Sequence, residues 1–337
     1  MTARAGVLLS AFESLSARAS NGTVPAGGYV VEHFDTSKEF LYLGCSEEGE
    51  LALVVATDVS LVPPRPLRLA ALSADFGLNC ALEDGGGLQI VRVSVLRCTA
   101  SERSTGELFA TVCGAIAESL SQPPSELEFA DLIARWSSLF WRLGQRVETD
   151  VVGLAGELVV LRQAQNVDEW LQAWHAQPTD TLDFEFVPSR AAVEVKTTRG
   201  SERKHPVSLA QVAEPRLSNR FFASVLVQLN DSGELLGDIV RDIADRLDAD
   251  ASRLRLWDIL TKTCGDGLSD TLMRRLDVDK AARSLAFFRA QDIPLPLVDQ
   301  PIPAGVSAIK FTSDFSLAEE VSATVVNAAA NLEPNAD

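Results

Sequence analysis

Asp183, Glu194 and Lys196 are the residues whose types and spacing could do chemistry together. They lie in two short runs, Leu182-Asp183-Phe184-Glu185-Phe186-Val187 and Ala192-Val193-Glu194-Val195-Lys196-Thr197-Thr198. Both runs read as strands, in which alternate residues share a face. Leu182, Phe184 and Phe186 then point to the core, with Asp183 and Glu185 opposite. Val193 and Val195 point inward, while Glu194 and Lys196 share the other face. The tight turn Pro188-Ser189-Arg190 between the runs predicts a hairpin, which brings Asp183 close to Glu194 and Lys196. Two carboxylates suffice to anchor Mg2+, with Mn2+ as a substitute, because such an ion takes oxygen ligands and keeps several waters. The ion would stabilise charge on a phosphodiester under attack and activate water. Lys196 would orient that water and screen the developing charge. The backbone carbonyl of Val195 offers a further ligand.

Each of these residues also has a plainer reading. A Glu-Val-Lys tripeptide is common, and an exposed strand of alternating charge produces it without any function. Glu157 stands on a helix read from about Asp150 to Gln165, where Leu154, Leu158 and Leu161 share one face. It could reach the same site or lie solvated. Gln211, three residues after Ser208, reads equally as a capping-box partner and as a polar group facing the cleft. Glu185 shares the face of Asp183 but sits one pleat away. Three histidines are too few for a histidine-based metal site. Trp136, Trp141, Trp170 and Trp174 read as packing aromatics. No GxxxxGK[ST], GxSxG or HExxH motif occurs, which removes the commonest ATPase, hydrolase and zinc-protease readings.

The charge balance bears on partners. The 337-residue chain carries a net charge of −17 at pH 7, awkward for a protein that meets phosphates. Residues 1–145 hold 10 basic and 17 acidic side chains, and residues 221–337 hold 11 and 19. Between Arg190 and Arg220 the balance reverses to 7 basic against 3 acidic. That excess could meet a phosphate backbone, with Arg199, Arg203, Lys204 and His205 as the contacts, or be only a solvated charged loop. Five scattered cysteines, an odd number without a CxxC pair, argue against a disulfide framework and a zinc site and fit a reduced cytoplasm. No run of about 18 apolar residues suggests a membrane span. Near the start, Val7, Leu8, Ala11, Phe12 and Leu15 suit an amphipathic helix better than a signal peptide.

Residues 29–99 read as strands, with Asp84-Gly85-Gly86-Gly87 as a hairpin signal. Helices follow at about Thr105–Leu120 and Ser125–Leu143, the second opened by the capping box Ser125/Glu128. Residues 1–145 are therefore expected to form a β-rich module closed by helices. From 146 to about 290 the order is helix, paired strands, a charged loop, a helix opening at Ser208, the strand Arg220–Leu229 and a helix Leu236–Leu247, an α/β succession. Residues 291–337, with Pro294, Pro296, Pro301 and Pro303, are expected to pack as an extension on that core and to fray at the end.

The pattern of Asp183 on one strand and Glu194-Val195-Lys196 on the next resembles the PD-(D/E)XK nucleases of restriction-endonuclease-like fold. Ten residues separate the acids. That superfamily often adds a Glu from the preceding helix, and Glu157 in Gly-Leu-Ala-Gly-Glu-Leu matches it. Leu182 replaces the usual proline, which weakens the motif but removes no ligand. With His205-Pro206-Val207-Ser208-Leu209-Ala210-Gln211, these segments resemble a bacterial family of PD-(D/E)XK members of unknown function associated with restriction and phage-defence gene clusters. The resemblance implies an α/β (α+β) fold with a mixed-sheet core flanked by helices and an Mg2+-dependent deoxyribonuclease. It also implies DNA as substrate and a helicase-like ATPase or DNA methyltransferase as partner. The acidic surface suggests recruitment by partners or a homodimer. The rival is a catalytically silent DNA-binding or scaffold subunit, and a third reading is an interaction protein with no nucleic-acid role.

Overall fold

Contacts within the chain, seen in a computed structural model that describes residues 5–83, 87–99, 102–175, 182–213, 219–296 and 308–330, divide it into two compact units. One comprises Met1–Val147 with Ala249–Ser269, the other Glu148–Asp248 with Asp270–Asp337.

The first unit follows from alternation. Strands β1 (Tyr29–His33), β2 (Leu41–Ser46), β3 (Leu51–Ala56), β4 (Leu67–Arg68), β5 (Leu72–Glu83) and β6 (Leu88–Cys98) form a sheet in the order β1-β2-β3-β6-β5-β4. β1 also pairs in parallel with the end of β5, so the sheet closes on itself. One set of alternating residues, including Val31, Tyr42, Val54, Leu82 and Val95, fills the interior. The other set is buried too, and α1 (Ala5–Arg18) lies against β1 and β2 with Leu8, Phe12 and Leu15 buried, alongside α2 (Arg103–Ser119). A bulge in β5 between Asp75 and Leu78 bends that strand. Gly77 sits there at φ +64°, where a Cβ would come within 2.4 Å of Glu126 Oε1 and 2.5 Å of an Arg92 nitrogen. The turn expected at Asp84–Gly87 joins β5 to β6, but residues 84–86 lie outside the described residues. Helix α3 (Glu126–Arg142) starts at the expected capping box, with Ser125 and Glu128 each satisfying the other's backbone N–H.

The second unit holds α4 (Val151–Gln163), α5 (Val167–Ala173), β7 (Phe184–Phe186), β8 (Ala191–Thr198), β9 (Lys204–Ser208), α6 (Leu209–Ala213), β10 (Asn219–Leu226), β11 (Leu229–Leu235) and α7 (Leu236–Asp245). Next along the chain, α8 (Asp250–Cys264) packs in the first unit beside α2 and α3. It buries Leu254, Leu256, Trp257, Ile259 and Leu260 there. After α9 (Leu268–Leu272) come β12 (Arg275–Leu276), α10 (Val278–Ser284), β13 (Ala286–Arg289), β14 (Lys310–Asp314), β15 (Glu320–Val321) and α11 (Ala323–Ala329), all in the second unit. Its main sheet runs β15-β13-β10-β8-β7. β8 is parallel to β10, while the other neighbours are antiparallel. This is a mixed-sheet α+β core flanked by helices.

The structure revises one local expectation. The segment read as a charged loop contains β9, which pairs with β14 from Lys204↔Asp314 to Ser208↔Lys310. His205 and Val207 face inward between exposed Lys204 and Pro206, a two-residue period that the charges hide and a partner far along the chain supplies. The helix expected to open at Ser208 is present as α6, and residues 214–218 after it lie outside the described residues. Residues 308–330 add β15 to the main sheet of the unit and β14 to the ribbon with β9. The expected frayed end, 331–337, and residues 297–307 of the proline-rich extension lie outside the described residues.

Candidate active site

Helix α4 begins where Asp150 accepts the amide N–H groups of Val152 and Gly153, both at 3.1 Å. The helix then lies against β8 so closely that a Cβ on Gly156 would fall 2.2 Å from Thr197 Cγ2 and 3.3 Å from Val195 Cγ1. Glycine there sets the depth at which Glu157, the next residue, meets the sheet. The hairpin of β7 and β8 pairs Phe184 with Val193 and Glu185 with Ala192. Continued by one step, that register sets Asp183 opposite Glu194. Asp183 Oδ2 accepts the Val195 amide N–H at 2.6 Å, and the Asp183 carbonyl accepts that of His175 at 2.8 Å.

β8 is covered on both faces, so the face that carries the acids is not open to water: Glu194 is only 6% exposed. Its Oε1 accepts Lys196 Nζ at 2.7 Å and also the Gln211 side-chain amide. Lys196 Nζ reaches Gln211 Oε1 at 3.2 Å. The same Oε1 accepts the Ser208 amide at 3.0 Å, and the Gln211 amide donates to Ser208 Oγ at 3.3 Å. The cap and the cleft readings of Gln211 therefore coexist in one side chain. Glu194 Oε2 is buried and without a hydrogen-bond partner. Glu157 Oε2 accepts the Trp174 indole N–H at 2.7 Å.

The electrostatics follow from this crowding. Burial, and after it the Asp183 carboxylate, push Glu194 up to about 8 against the pull of Lys196. Burial also raises Asp183, although the Val195 amide and Lys196 oppose it. Glu157 stands well above the ordinary carboxylate range through burial first and Asp183 second. The fold thus disfavours negative charge where sequence places three acids. Among the described residues no three His, Cys, Asp or Glu side chains converge as an ion site by themselves. The donor set on offer is Asp183 and Glu194, with Glu157 behind them. A divalent cation fits that set, because it would supply the partner that Glu194 Oε2 lacks and water can complete its shell.

The four residues expected to meet phosphate are placed very differently. Arg199 is exposed, and Lys204 is exposed in an ion pair with Glu202 at 2.9 Å. Arg203 turns inward: it donates to the Ser224 carbonyl at 2.9 Å and Ser224 Oγ at 2.8 Å, and to the Ser284 carbonyl at 2.5 Å. His205 is fully buried, its Nε2 2.8 Å from Ser224 Oγ and its ring against Phe315. Burial, then Lys196 and Arg203, press it down to about 4, so it is neutral. Neither Arg203 nor His205 is presented to a phosphate, because the two-residue period of β9 carries His205 into the core. Lys310, which the sequence did not single out, shares the exposed face of the β9/β14 ribbon with Lys204. Trp174 packs in the interior as expected, 1% exposed, and its N–H also serves Glu157.

An acid before β7, an acid and lysine on β8, and a helical Glu beside a mixed sheet define a protein of the PD-(D/E)XK, restriction-endonuclease-like class. The chain belongs to the family described as "Putative PD-(D/E)XK family member, (DUF4420)", whose profile matches residues 10–316. No curated protein and no solved structure gives a match. Membership makes the chain nuclease-like, and PD-(D/E)XK nucleases generally use divalent metals. Among the described residues, no helix is long and apolar enough to cross a membrane. All five cysteines are free thiols buried in the protein.

Proposed function

We propose that this chain hydrolyses phosphodiester bonds of DNA, and that the second unit carries the reaction. The observation that carries this reading is Glu194, a buried acid on a central strand, bound through one oxygen to Lys196 and Gln211 and unpartnered at the other. Asp183 and Glu194 would hold Mg2+ or Mn2+, with Glu157 and the Val195 carbonyl as supporting donors. The ion, when bound, would supply Lewis-acid stabilisation of the phosphate under attack. Lys196 is held by Glu194 and Gln211 at the mouth of that set, so its ammonium is already oriented to position water and offset developing charge. Gln211 fixes both partners from a capped turn, which keeps their spacing without an additional charge. Arg199, Lys204 and Lys310 are the exposed cations that would meet the DNA backbone. The same reading places the chain in restriction or phage defence, in the cytoplasm, beside a helicase-like ATPase or DNA methyltransferase.

Plasmid cleavage with Mg2+ or Mn2+, run beside Asp183→Ala and Lys196→Ala, tests this. Metal-dependent cutting lost in both variants is the expected result. No cutting by the wild type, alone and with the proteins encoded beside it, would replace this reading by that of a silent DNA-binding subunit.

A further inference from the structure

Glu157 and Asp183 come from different elements, yet consecutive residues touch both. Trp174 donates its indole N–H to Glu157 Oε2 at 2.7 Å, and the His175 amide donates to the Asp183 carbonyl at 2.8 Å. Trp174 forms an antiparallel bridge with Phe184, the residue after Asp183. Its ring stacks on that of Phe184 with centroids 6.2 Å apart and planes 18° apart. The dipeptide therefore extends the sheet by one pair beyond β7, and the stacked ring fixes the direction of the N–H.

We propose that Trp174-His175 is a clamp that sets Glu157 against Asp183, making Trp174 a positioning residue for the cation site. The inference rests on the metal reading given above. A glutamate has three side-chain torsions and gains little from a site that must order it at the moment of binding. The indole fixes Glu157 beforehand, as the outer hydrogen-bond partners of metal ligands do. Because the indole is neutral, it holds the carboxylate without competing with an ion for its charge. Phenylalanine at 174 would keep the stacking and lose the donor.

Mn2+ binding to the full chain without DNA, followed through the electron paramagnetic resonance of the free ion, separates positioning from packing. The proteins to compare are the wild type, Trp174→Phe, Glu157→Gln and the double variant. Trp174→Phe should weaken Mn2+ binding about tenfold, the lower end of what loss of an outer partner costs. The double variant should bind no more weakly than Glu157→Gln, because the indole acts only through that carboxylate. Benzothienylalanine at 174, which replaces N–H by sulfur in a ring of nearly the same shape, should reproduce the loss even where phenylalanine disturbs folding. Wild-type affinity in the benzothienyl protein, or losses that add in the double variant, would overturn the clamp while leaving the metal reading standing. A wild type that takes up no Mn2+ would overturn both.

Discussion

β3 and β8 are both central strands buried over most of their length, and they solve that burial in opposite ways. β3, between β2 and β6, reads Leu-Ala-Leu-Val-Val-Ala and holds no polar side chain. β8, between β7 and β10, is equally covered over its first five residues but includes Glu194 and then Lys196. A strand buried on both faces ordinarily reads as a continuous apolar run. A charge in such a strand costs several kcal/mol unless it is paired or neutralised, so the placement of Glu194 there supports the proposed site. The polar groups near β3 show the contrast. Thr57 and Ser94 satisfy each other at 2.8 Å, and buried Glu126 is bound to Arg92 at 2.6 Å. At Glu194 one oxygen is engaged twice while the other has nothing. On the proposed reading, stability shaped the first strand and chemistry the second.

The widest separation between the strands should appear in activity. Asp183→Asn or Lys196→Ala is expected to cut DNA cleavage by about 100- to 1,000-fold, the scale of losing a preorganised electrostatic group, with the melting temperature little changed. The converse belongs to β3. Leu53→Ala, at a fully buried position, should destabilise by about 2–5 kcal/mol in urea unfolding and leave the cleavage rate of the folded fraction as it was. A variant of β8 that lost stability but no activity would break the comparison.

Gly156→Ala should cost about 1–3 kcal/mol by forcing α4 away from β8. Thr197→Ser removes the methyl that the new Cβ would strike at 2.2 Å, so the pair together should recover part of that loss in the same unfolding measurement. The smallest effect is in pH. Glu194 has its folded-state value raised from 4.5 to about 8, so its contribution to stability is complete below the lower figure and lost as pH climbs through the upper. The metal-free wild type should therefore lose melting temperature between those limits, with raised Asp183 and Glu157 adding in the same sense. Glu194→Gln should flatten the profile. A cation that takes the ionised form should restore most stability at the alkaline end, and a flat wild-type profile would remove the electrostatic half of the contrast.

The hairpin that sets Asp183 opposite Glu194 was legible because period-two alternation and a short turn are local signals. So was the capping box at Ser125, which needs only four residues. The closure of β1 onto β5 was not legible, since no pattern within either strand names its neighbour. β9 was hidden for the same reason: its partner β14 lies beyond residue 296. The inward turn of Arg203 depends on Ser224 and Ser284, again distant in sequence, so charge counting misplaced it among the exposed cations. The role of Trp174 needs a direction for one N–H, which residue type does not carry.

The placement of α8 has a consequence for how this chain can be made. A ribosome releases Met1–Val147 first, but the helix that packs beside α2 and α3 follows a hundred residues later. In the meantime Glu148–Asp248 emerges with β8 and β10 but without β13 and β15, the strands that complete its sheet. Neither unit can finish before the other has begun, so the nascent chain carries two unfinished cores together. The second unit therefore completes its sheet only after β13 and β15 have been made, and not as a finished domain in its turn.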